Sequence, residues 1–258
     1  MSSHDTGPTT SIARYDAAGV YIREKSLADD LIGKISFTQM IFLEITGREP
    51  TPAETEVLDA CLVTLVEHGM TPSALVARMT LTGAPDALQG AVAAGLLGIG
   101  NVYVGAMEGC GELLGQLVPA DDPRELATKL VSELRASGAR VPGFGHPHHK
   151  PDDPRALRLL EVADRTGVAG AHVAVLRTLA EVVDEVYGRH ITINATGAIA
   201  ALLADCDVPL DALRGFAVVS RSAGLVGHLV EERRRPAGDA IWHAGEAAVP
   251  YVAGDGTA

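Results

Sequence analysis

Cysteine is scarce: Cys61, Cys110 and Cys206 are the three in 258 residues, far apart and odd in number. Such usage excludes a disulfide framework and a cysteine-based zinc knuckle, and a reducing cytoplasm is the compartment it fits. Basic charge is also short. The 21 lysines and arginines stand against 33 aspartates and glutamates, giving a formal charge of −12 and a sequence pI near 5.1. That balance argues against a nucleic-acid or anionic-membrane partner, since either needs a basic face to replace counterions. No apolar run reaches the roughly 20 residues of a membrane-spanning helix. Met1 to Thr10 is polar, with no basic start leading into an apolar core, so no targeting signal is expected. Sustained alternation is missing too: Asn101 to Val104 and His190 to Asn194 are the best short β-branched runs, and neither alternates for long. No internal repeat, low-complexity tract or long charged linker breaks the chain.

What the chain does have is apolar bulk with helical spacing. Hydrophobic residues make up 47%, ample for a core of one large domain or two small ones. Val57, Leu58, Cys61, Leu62 and Leu65 recur three and four apart, and this texture dominates. Thr51-Pro52-Ala53-Glu54 supplies an N-cap, a proline at the first helical position and a carboxylate three residues on. Asp122-Pro123-Arg124-Glu125 repeats that pattern, and Thr71-Pro72 marks a further start. Gly47, Gly69, Gly83 and Gly138 fall where helices can end. The fold class expected is all-α. Glu231-Glu232-Arg233-Arg234-Arg235 is the one dense charge run and reads as a solvated helix end.

Three segments have the residues for chemistry. From Val141 to Arg155, breakers alternate with titratable groups: Pro142, Gly143, Gly145, Pro147, Pro151 and Pro154 are interleaved with His146, His148, His149, Lys150, Asp152 and Asp153. Proline fixes φ and removes an N–H while glycine admits backbone angles other residues avoid, so this stretch is a loop. His146 follows Gly143-Phe144-Gly145, which lets the backbone approach a ligand while the imidazole faces it. Arg155 follows Asp153-Pro154 in the first turn of a helix, where a guanidinium grips a carboxylate through two hydrogen bonds. The second segment is Glu67-His68-Gly69 at a helix end. The third is Ser220-Arg221-Ser222-Ala223-Gly224 running to His228, in which an arginine inside an apolar helix needs an anionic partner, and a bound substrate qualifies.

Each segment also has a plainer reading. His148 and His149 are expected to be exposed loop histidines, and no metal site is expected, because no third-ligand spacing elsewhere supports a His-x-His-His cluster. His68 and His228 fit as helix-end caps near the negative pole of the dipole. Arg221 has Glu231 or another core carboxylate as an alternative partner.

In order, the segments carry more than they do singly. Gly47-Arg48-x-Pro50, Glu67-His68-Gly69, Gly95 to Ala106, Pro142-Gly143-Phe144-Gly145-His146-Pro147 with Asp153-Pro154-Arg155, and Ser220-Arg221-x-x-Gly224 with His228 and Glu231 resemble the citrate synthase superfamily. The likeness is strongest to its short citryl-CoA lyases and to the lyase end of ATP-citrate lyase, and it runs from about Ala17 to Tyr251. Gly-x-Gly-His with the following Asp-Pro-Arg is its specific part.

The resemblance implies an all-helical, citrate synthase-like homodimer. A large domain, 1–103 plus 207–258, is expected to flank a smaller inserted domain, 104–206, with the site in the cleft between them. It implies coenzyme A as the carrier of an acyl substrate and a small carboxylic acid as the other partner. Gly143, Gly145 and Lys150 match the loop that contacts CoA, Lys150 toward a phosphate. His146 matches the histidine that exchanges a proton with the keto oxygen or the derived alcohol; His68 matches the one that holds the keto-acid; Arg155 and Arg221 match two arginines that grip its carboxylates.

Three positions depart from the family pattern. Tyr103 stands where synthases place the histidine that stabilises the enol of acetyl-CoA, and citryl-CoA lyases lack that histidine too. Asn194-Ala195-Thr196-Gly197 stands where the family has Asn-Val-Asp-Gly, so Thr196 replaces the aspartate base, and a threonine hydroxyl takes no proton at neutral pH without an activating base. His243 stands where the family supplies an arginine to the partner's site, which implies a substrate other than citrate itself. The function expected is a lyase cleaving a 3-hydroxy-acyl-CoA that bears a carboxylate or keto group. His146 would deprotonate the hydroxyl, and water or Tyr103 would protonate the departing enolate. A CoA-binding or regulatory homologue without turnover and a thioester hydrolase are the alternatives.

Overall fold

A computed structural model describes residues 7–100 and 105–252. Tyr103 and the run Asn101 to Val104 lie outside the described residues. In chain order the helices are α1 (Phe37–Thr46), α2 (Pro52–Val66), α3 (Pro72–Gly83), α4 (Leu88–Leu97), α5 (Gly105–Leu117) and α6 (Pro123–Ala136). They continue with α7 (Pro154–Thr166), α8 (Ala171–Tyr187), α9 (Ala195–Asp205), α10 (Leu213–Arg234) and α11 (Gly238–Ala248). The all-α class expected from the sequence is what the chain adopts.

Among the described residues strand is confined to a small antiparallel sheet that the sequence did not announce: β1 (Ala13–Tyr15), β2 (Val20–Ile22) and β3 (Lys25–Ser26), in the order β1-β2-β3. Strands this short contain too little alternation to register as a pattern. The His190 to Asn194 run is extended without forming a strand, and its Ile193 makes a single bridge to Phe144.

The helix starts form as their caps dictate. Thr51 Oγ1 accepts from the Glu54 amide at 3.2 Å while Glu54 Oε2 accepts from the Thr51 amide at 2.7 Å, a reciprocal capping box. Asp122 accepts from the Glu125 amide at 2.9 Å. At Thr71-Pro72 only the proline acts, for the Thr71 hydroxyl is buried without a hydrogen-bond partner.

The chain divides into two compact units, one of residues up to Leu62 with Met107–Leu213, the other of Val63–Ala106 with the residues from Arg214 on. This grouping differs from a division of 1–103 plus 207–258 against 104–206. Arg48 shows what joins the N-terminal helices to the first unit: its guanidinium pairs with Glu54 at 2.6 Å, donates to the Cys206 carbonyl at 3.0 Å and reaches Asp207 at 3.2 Å. The Arg48 hydrogen bond drives the Glu54 carboxyl down to about 2. Arg165 of α7 likewise pairs with Glu56 of α2.

At the centre of the first unit is α9, with Ala198, Ile199, Ala200, Ala201, Leu202 and Leu203 all 0% exposed. A helix apolar on every side must be wrapped by others, and α7 and α8 pack against it. Its first turn comes unusually close to the breaker-rich loop: a Cβ on Gly197 would stand 2.4 Å from the Gly143 carbonyl oxygen, and one on Gly143 would stand 2.6 Å from Cys110 Sγ. Gly143 also has φ +83°, which non-glycine residues avoid.

In the second unit α3, α4 and α10 share a core of Ala77, Leu81, Ala91, Leu225 and Leu229. Gly95 permits the approach, since a Cβ there would lie 2.8 Å from Leu225 Cδ1 and 2.9 Å from the Ser73 carbonyl. The charge run at the end of α10 is not wholly solvated. Glu232 is 4% exposed, pairs with Arg78 at 2.8 Å and accepts from the amides of Ala237 and Gly238 at 2.8 Å each, so it caps α11 from the core side.

Gly197→Ala is expected to destabilise the first unit by about 2 kcal/mol, the cost of overpacking against backbone that cannot yield. Thermal unfolding followed by circular dichroism checks it: a lower midpoint is expected, whereas Gly167→Ala, with no heavy atom within 4 Å, tests the φ penalty alone.

Candidate active site

The loop from Val141 to Asp153 is laced to the start of α9 by backbone hydrogen bonds. The Gly145 amide donates to the Thr192 carbonyl at 2.8 Å, the Asn194 amide to the Gly143 carbonyl at 3.0 Å, and Asn194 Nδ2 to the Gly145 carbonyl at 3.0 Å. Gly143 and Gly145, at φ +83° and +77°, make the turns these bonds require. His146 therefore leaves a fixed backbone.

Its ring is oriented by its own loop. His146 Nδ1 accepts from the His148 amide at 3.2 Å and the His149 amide at 3.1 Å. A nitrogen facing two N–H donors has no proton of its own, so the neutral ring carries hydrogen on Nε2. The His149 ring stacks on it at 4.2 Å with a 21° interplanar angle. His148 is exposed as the sequence predicts; His149, expected to be exposed as well, is half-buried.

Asp153 anchors the other functional side chain. It is 0% exposed and accepts from Arg155 Nε at 3.0 Å, Arg155 Nη2 at 2.8 Å, the Arg155 amide at 3.0 Å and the Ala195 amide at 3.1 Å. Burial pushes its pKa up, but the Arg155 hydrogen bonds, the Arg155 charge and the Ala195 amide outweigh it and hold the carboxyl below its ordinary value. One edge of the Arg155 fork is thereby spent. Nη1 makes no hydrogen bond among the described residues, leaving the outer edge for a second carboxylate.

Thr196, at the first turn of α9, donates its hydroxyl to Asn194 Oδ1 at 2.6 Å, and the same oxygen accepts from the Gly197 amide at 3.1 Å. The Thr196 oxygen thus offers only lone pairs outward. Its partner Asn194 is a neutral amide, which does not activate it as a base.

Beside this assembly a cavity of about 350 Å³ opens, with Phe144, Val183, Tyr187 and Ile191 as apolar wall and Arg140 and Arg189 as its cations. Lys150 is exposed and does not line it. Neither arginine stands out in the sequence. The signal available was position, Arg140 just before the breaker-rich loop and Arg189 just after the left-handed Gly188, but nothing in one dimension pairs them.

The second unit holds its own cluster. Arg221, half-buried on α10, has Nη1 buried without a hydrogen-bond partner; burial lowers its pKa and the charge of Glu67 offsets part of that. The pairing with Glu231 considered from the sequence does not form, because Glu231 bonds Arg78. Glu67 Oε2 accepts from the amides of His68 at 3.2 Å and Gly69 at 3.1 Å. His243 sits apart on α11, exposed, stacked beside Trp242 and 3.2 Å from Glu246. Within the first unit the expected site residues His146, Arg155, Thr196, Gly143 and Gly145 lie around Asp153 and Asn194; within the second unit, Glu67 holds the His68 amide and its charge acts on Arg221.

His190 ties the loop down from the opposite side. Its Nδ1 lies 2.7 Å from Asp184 and its Nε2 3.0 Å from Asp152, while Asp184 also accepts from the Ile191 amide at 2.8 Å. Both ring nitrogens can donate only in the imidazolium form. The Asp184 and then the Asp152 hydrogen bonds raise its pKa above the ordinary 6.5. With its folded value raised, the clamp contributes fully below pH 6.5 and is lost as pH climbs from there through the raised folded value. Amide exchange across residues 146–153 is expected to quicken on the alkaline side beyond its intrinsic pH dependence. His190→Gln should show that faster exchange at every pH; a wild-type and variant pair with the same pH dependence would refute the clamp.

In sequence and in fold the chain is similar to known proteins over most of its length. A family model described as the citrate synthase C-terminal domain matches residues 9–243. A protein named putative citrate synthase 2 of Mycobacterium bovis is 28% identical over 230 residues, covering 87% of this chain and 59% of that relative, so the chain spans well under the relative's full length. The solved citryl-CoA lyase of Hydrogenobacter thermophilus superposes with a TM-score of 0.87 at 30% identity, covering 97% of this chain and 96% of that one. The ATP citrate lyase of Methanothrix soehngenii, solved in complex with citrate and coenzyme A, shares the fold at a TM-score of 0.78 and 20% identity, over 98% of this chain and 43% of that one. The chain belongs to the citrate synthase family.

Proposed function

We propose that the protein is an acyl-CoA carbon–carbon lyase of the citryl-CoA type, cleaving a 3-hydroxy-acyl-CoA with a carboxylate or keto group to an acyl-CoA and a keto-acid. The observation that carries this reading is the pair of pre-oriented side chains held to the start of α9: His146, whose ring is set by two loop amides, and Arg155, whose fork is already oriented by Asp153. A fixed N–H and a fixed guanidinium are what a keto-acid, or the alcohol from which it is released, demands of a site.

Cleavage takes the proton from the alcohol oxygen, turns the C–O bond into C=O and leaves the electrons of the C–C bond on the α-carbon of the thioester as an enolate, which then gains a proton. His146 takes that proton at Nε2, as expected from the sequence. The loop amides of His148 and His149 favour hydrogen on Nε2 in the ligand-free protein, so this step requires the ring hydrogen to move to Nδ1 with loss of both loop-amide bonds, and the imidazolium then formed steadies the keto oxygen as a donor. Arg155, Arg221 and His68 hold the acid; the orphaned Nη1 of Arg221 supports this, since a buried guanidinium without an anion is costly. Thr196 offers an acceptor, not a base, and Tyr103 or water protonates the enolate. His243 carries the less anionic preference inferred for the substrate.

Coenzyme A fits the cavity beside His146: its apolar wall suits the adenine and pantetheine, and Arg140 and Arg189 suit its phosphates, with Lys150 at the loop's exposed edge. The family homodimer and a cytoplasmic location complete the reading, the latter supported by three buried free cysteines. The locked Thr196 hydroxyl favours one second reading, a CoA-binding homologue without turnover.

Incubation with citryl-CoA and a panel of 3-hydroxy-acyl-CoAs, following CoA, acyl-CoA and keto-acid, separates them. Cleavage that falls by about 10²-fold or more in His146→Ala is expected, with Arg140→Ala and Arg189→Ala raising the KM for the thioester. CoA binding without turnover of any substrate supports the second reading; free CoA released without C–C cleavage identifies a hydrolase. Cleavage untouched by His146→Ala would sink the mechanism.

A further inference from the structure

The second unit contains a buried polar chain that the proposed reaction leaves unexplained. Arg78, 3% exposed on α3, directs Nε and Nη2 at His228 Nδ1, at 3.1 and 3.0 Å, and pairs with Glu232 at 2.8 Å and with Glu231. Arginine is donor-only, so His228 Nδ1 must accept and its hydrogen must sit on Nε2. That Nε2 lies 3.0 Å from Glu67 Oε1, within ion-pair range though off the line of an ideal hydrogen bond. The other oxygen of Glu67 holds the amides of His68 and Gly69. Gly224 makes room: a Cβ there would stand 2.8 Å from Glu67 Oε1 and 2.1 Å from the Val66 carbonyl.

Each link has a direction. Arg78 is itself fixed by two carboxylates, it fixes the tautomer of His228, and the Nε2–H of His228 presents positive charge to Glu67. Glu67 in turn gathers the amides of His68 and Gly69 just past the end of α2, and its charge partly compensates the buried Arg221. Glu67 is the common neighbour of both residues assigned to the acid in this unit. We infer that Arg78 and His228 are positioning residues that hold the Glu67 carboxylate, and that Glu67 sets the backbone of His68 and the charge facing Arg221, so that the relay governs affinity for the carboxylic acid and not for the CoA thioester. The role at the acid rests on the lyase reading; the relay itself does not.

Two variants of His228 separate polarity from bulk. His228→Gln keeps an acceptor for Arg78 and an N–H for Glu67; His228→Leu keeps neither, while Arg78 retains Glu231 and Glu232. Nitrogen-15 histidine spectra of the ligand-free protein report the tautomer, and calorimetry with oxaloacetate and with CoA reports binding. Hydrogen on Nε2 of His228 is expected, with oxaloacetate binding about tenfold weaker in His228→Leu, the worth of one charge-assisted contact. CoA binding should stay within about twofold, and His228→Gln should recover most of the loss. Hydrogen on Nδ1, unchanged oxaloacetate binding in His228→Leu, or a His228→Gln protein that folds like wild type yet binds as weakly as His228→Leu would each overturn the relay. Wild-type protein that binds neither oxaloacetate nor CoA would overturn the lyase reading and the role at the acid with it, while the tautomer still decides the relay.

Discussion

The carboxylate of Asp153 is the constraint on which the first unit's site depends. An ionised carboxyl at 0% exposure costs several kcal/mol unless its lone pairs are met. Here Arg155 meets them with its amide, Nε and Nη2, and the Ala195 amide completes the set. One group thereby joins three things that sequence keeps apart: the end of the breaker-rich loop, the first turn of α7 and the first turn of α9. The Asp153 amide adds a bond to Thr192 Oγ1 at 2.9 Å, so the extended segment before α9 is held as well. Because Asp153 is held ionised by these donors, the charge of Arg155 is balanced in the resting protein and its remaining edge can take a ligand without a bare buried cation having to persist meanwhile.

The second unit solves the same problem differently for its two arginines. Arg78 is surrounded, with Glu231, Glu232 and His228 all in contact, and such an ion cluster is structural in its energetics: removing one partner exposes the rest to an uncompensated charge. Among the described residues, nothing bonds the buried Nη1 of Arg221, and the charge of Glu67 acts on the guanidinium. The contrast is what the proposed role of Arg221 at the acid rests on: one buried guanidinium has three partners, the other none at Nη1 among the described residues. Burial alone would not distinguish them; the hydrogen-bond inventory does.

Local chemistry in the sequence was enough for the helices. The Thr51 capping box, Asp122 and the prolines behind them act through neighbours a few residues away, and those neighbours are visible in one dimension. His146, Arg155 and Arg221 were also legible, through breaker context or through a charge set in an apolar helix. What was not legible depends on long-range approach. Arg140 and Arg189 become neighbours at one cavity only once α8 has returned past the loop. The small sheet falls below the length at which alternation registers, and Glu232 reads as part of a solvated charge run until Arg78 is brought to it by α3. The clamp of His190 between Asp184 and Asp152 belongs to the same class, since its two carboxylates come from a helix and from the loop.

Thr196 is where sequence and structure together say more than either does. From the sequence it is a missing base. In the structure its hydroxyl proton is committed to Asn194 Oδ1, the atom that caps α9, so the side chain continues the cap and not the catalytic pattern. His146 points the same way, with hydrogen fixed on Nε2 by two loop amides. In the ligand-free protein both side chains are therefore set for hydrogen bonding in a defined direction, one as a donor and one as an acceptor, and neither is set to remove a proton from carbon. The missing aspartate is therefore a missing group for proton transfer at the α-carbon in either direction, since the base that removes the proton in synthesis is the acid that returns it in cleavage, and in the proposed lyase that transfer falls to Tyr103 or water.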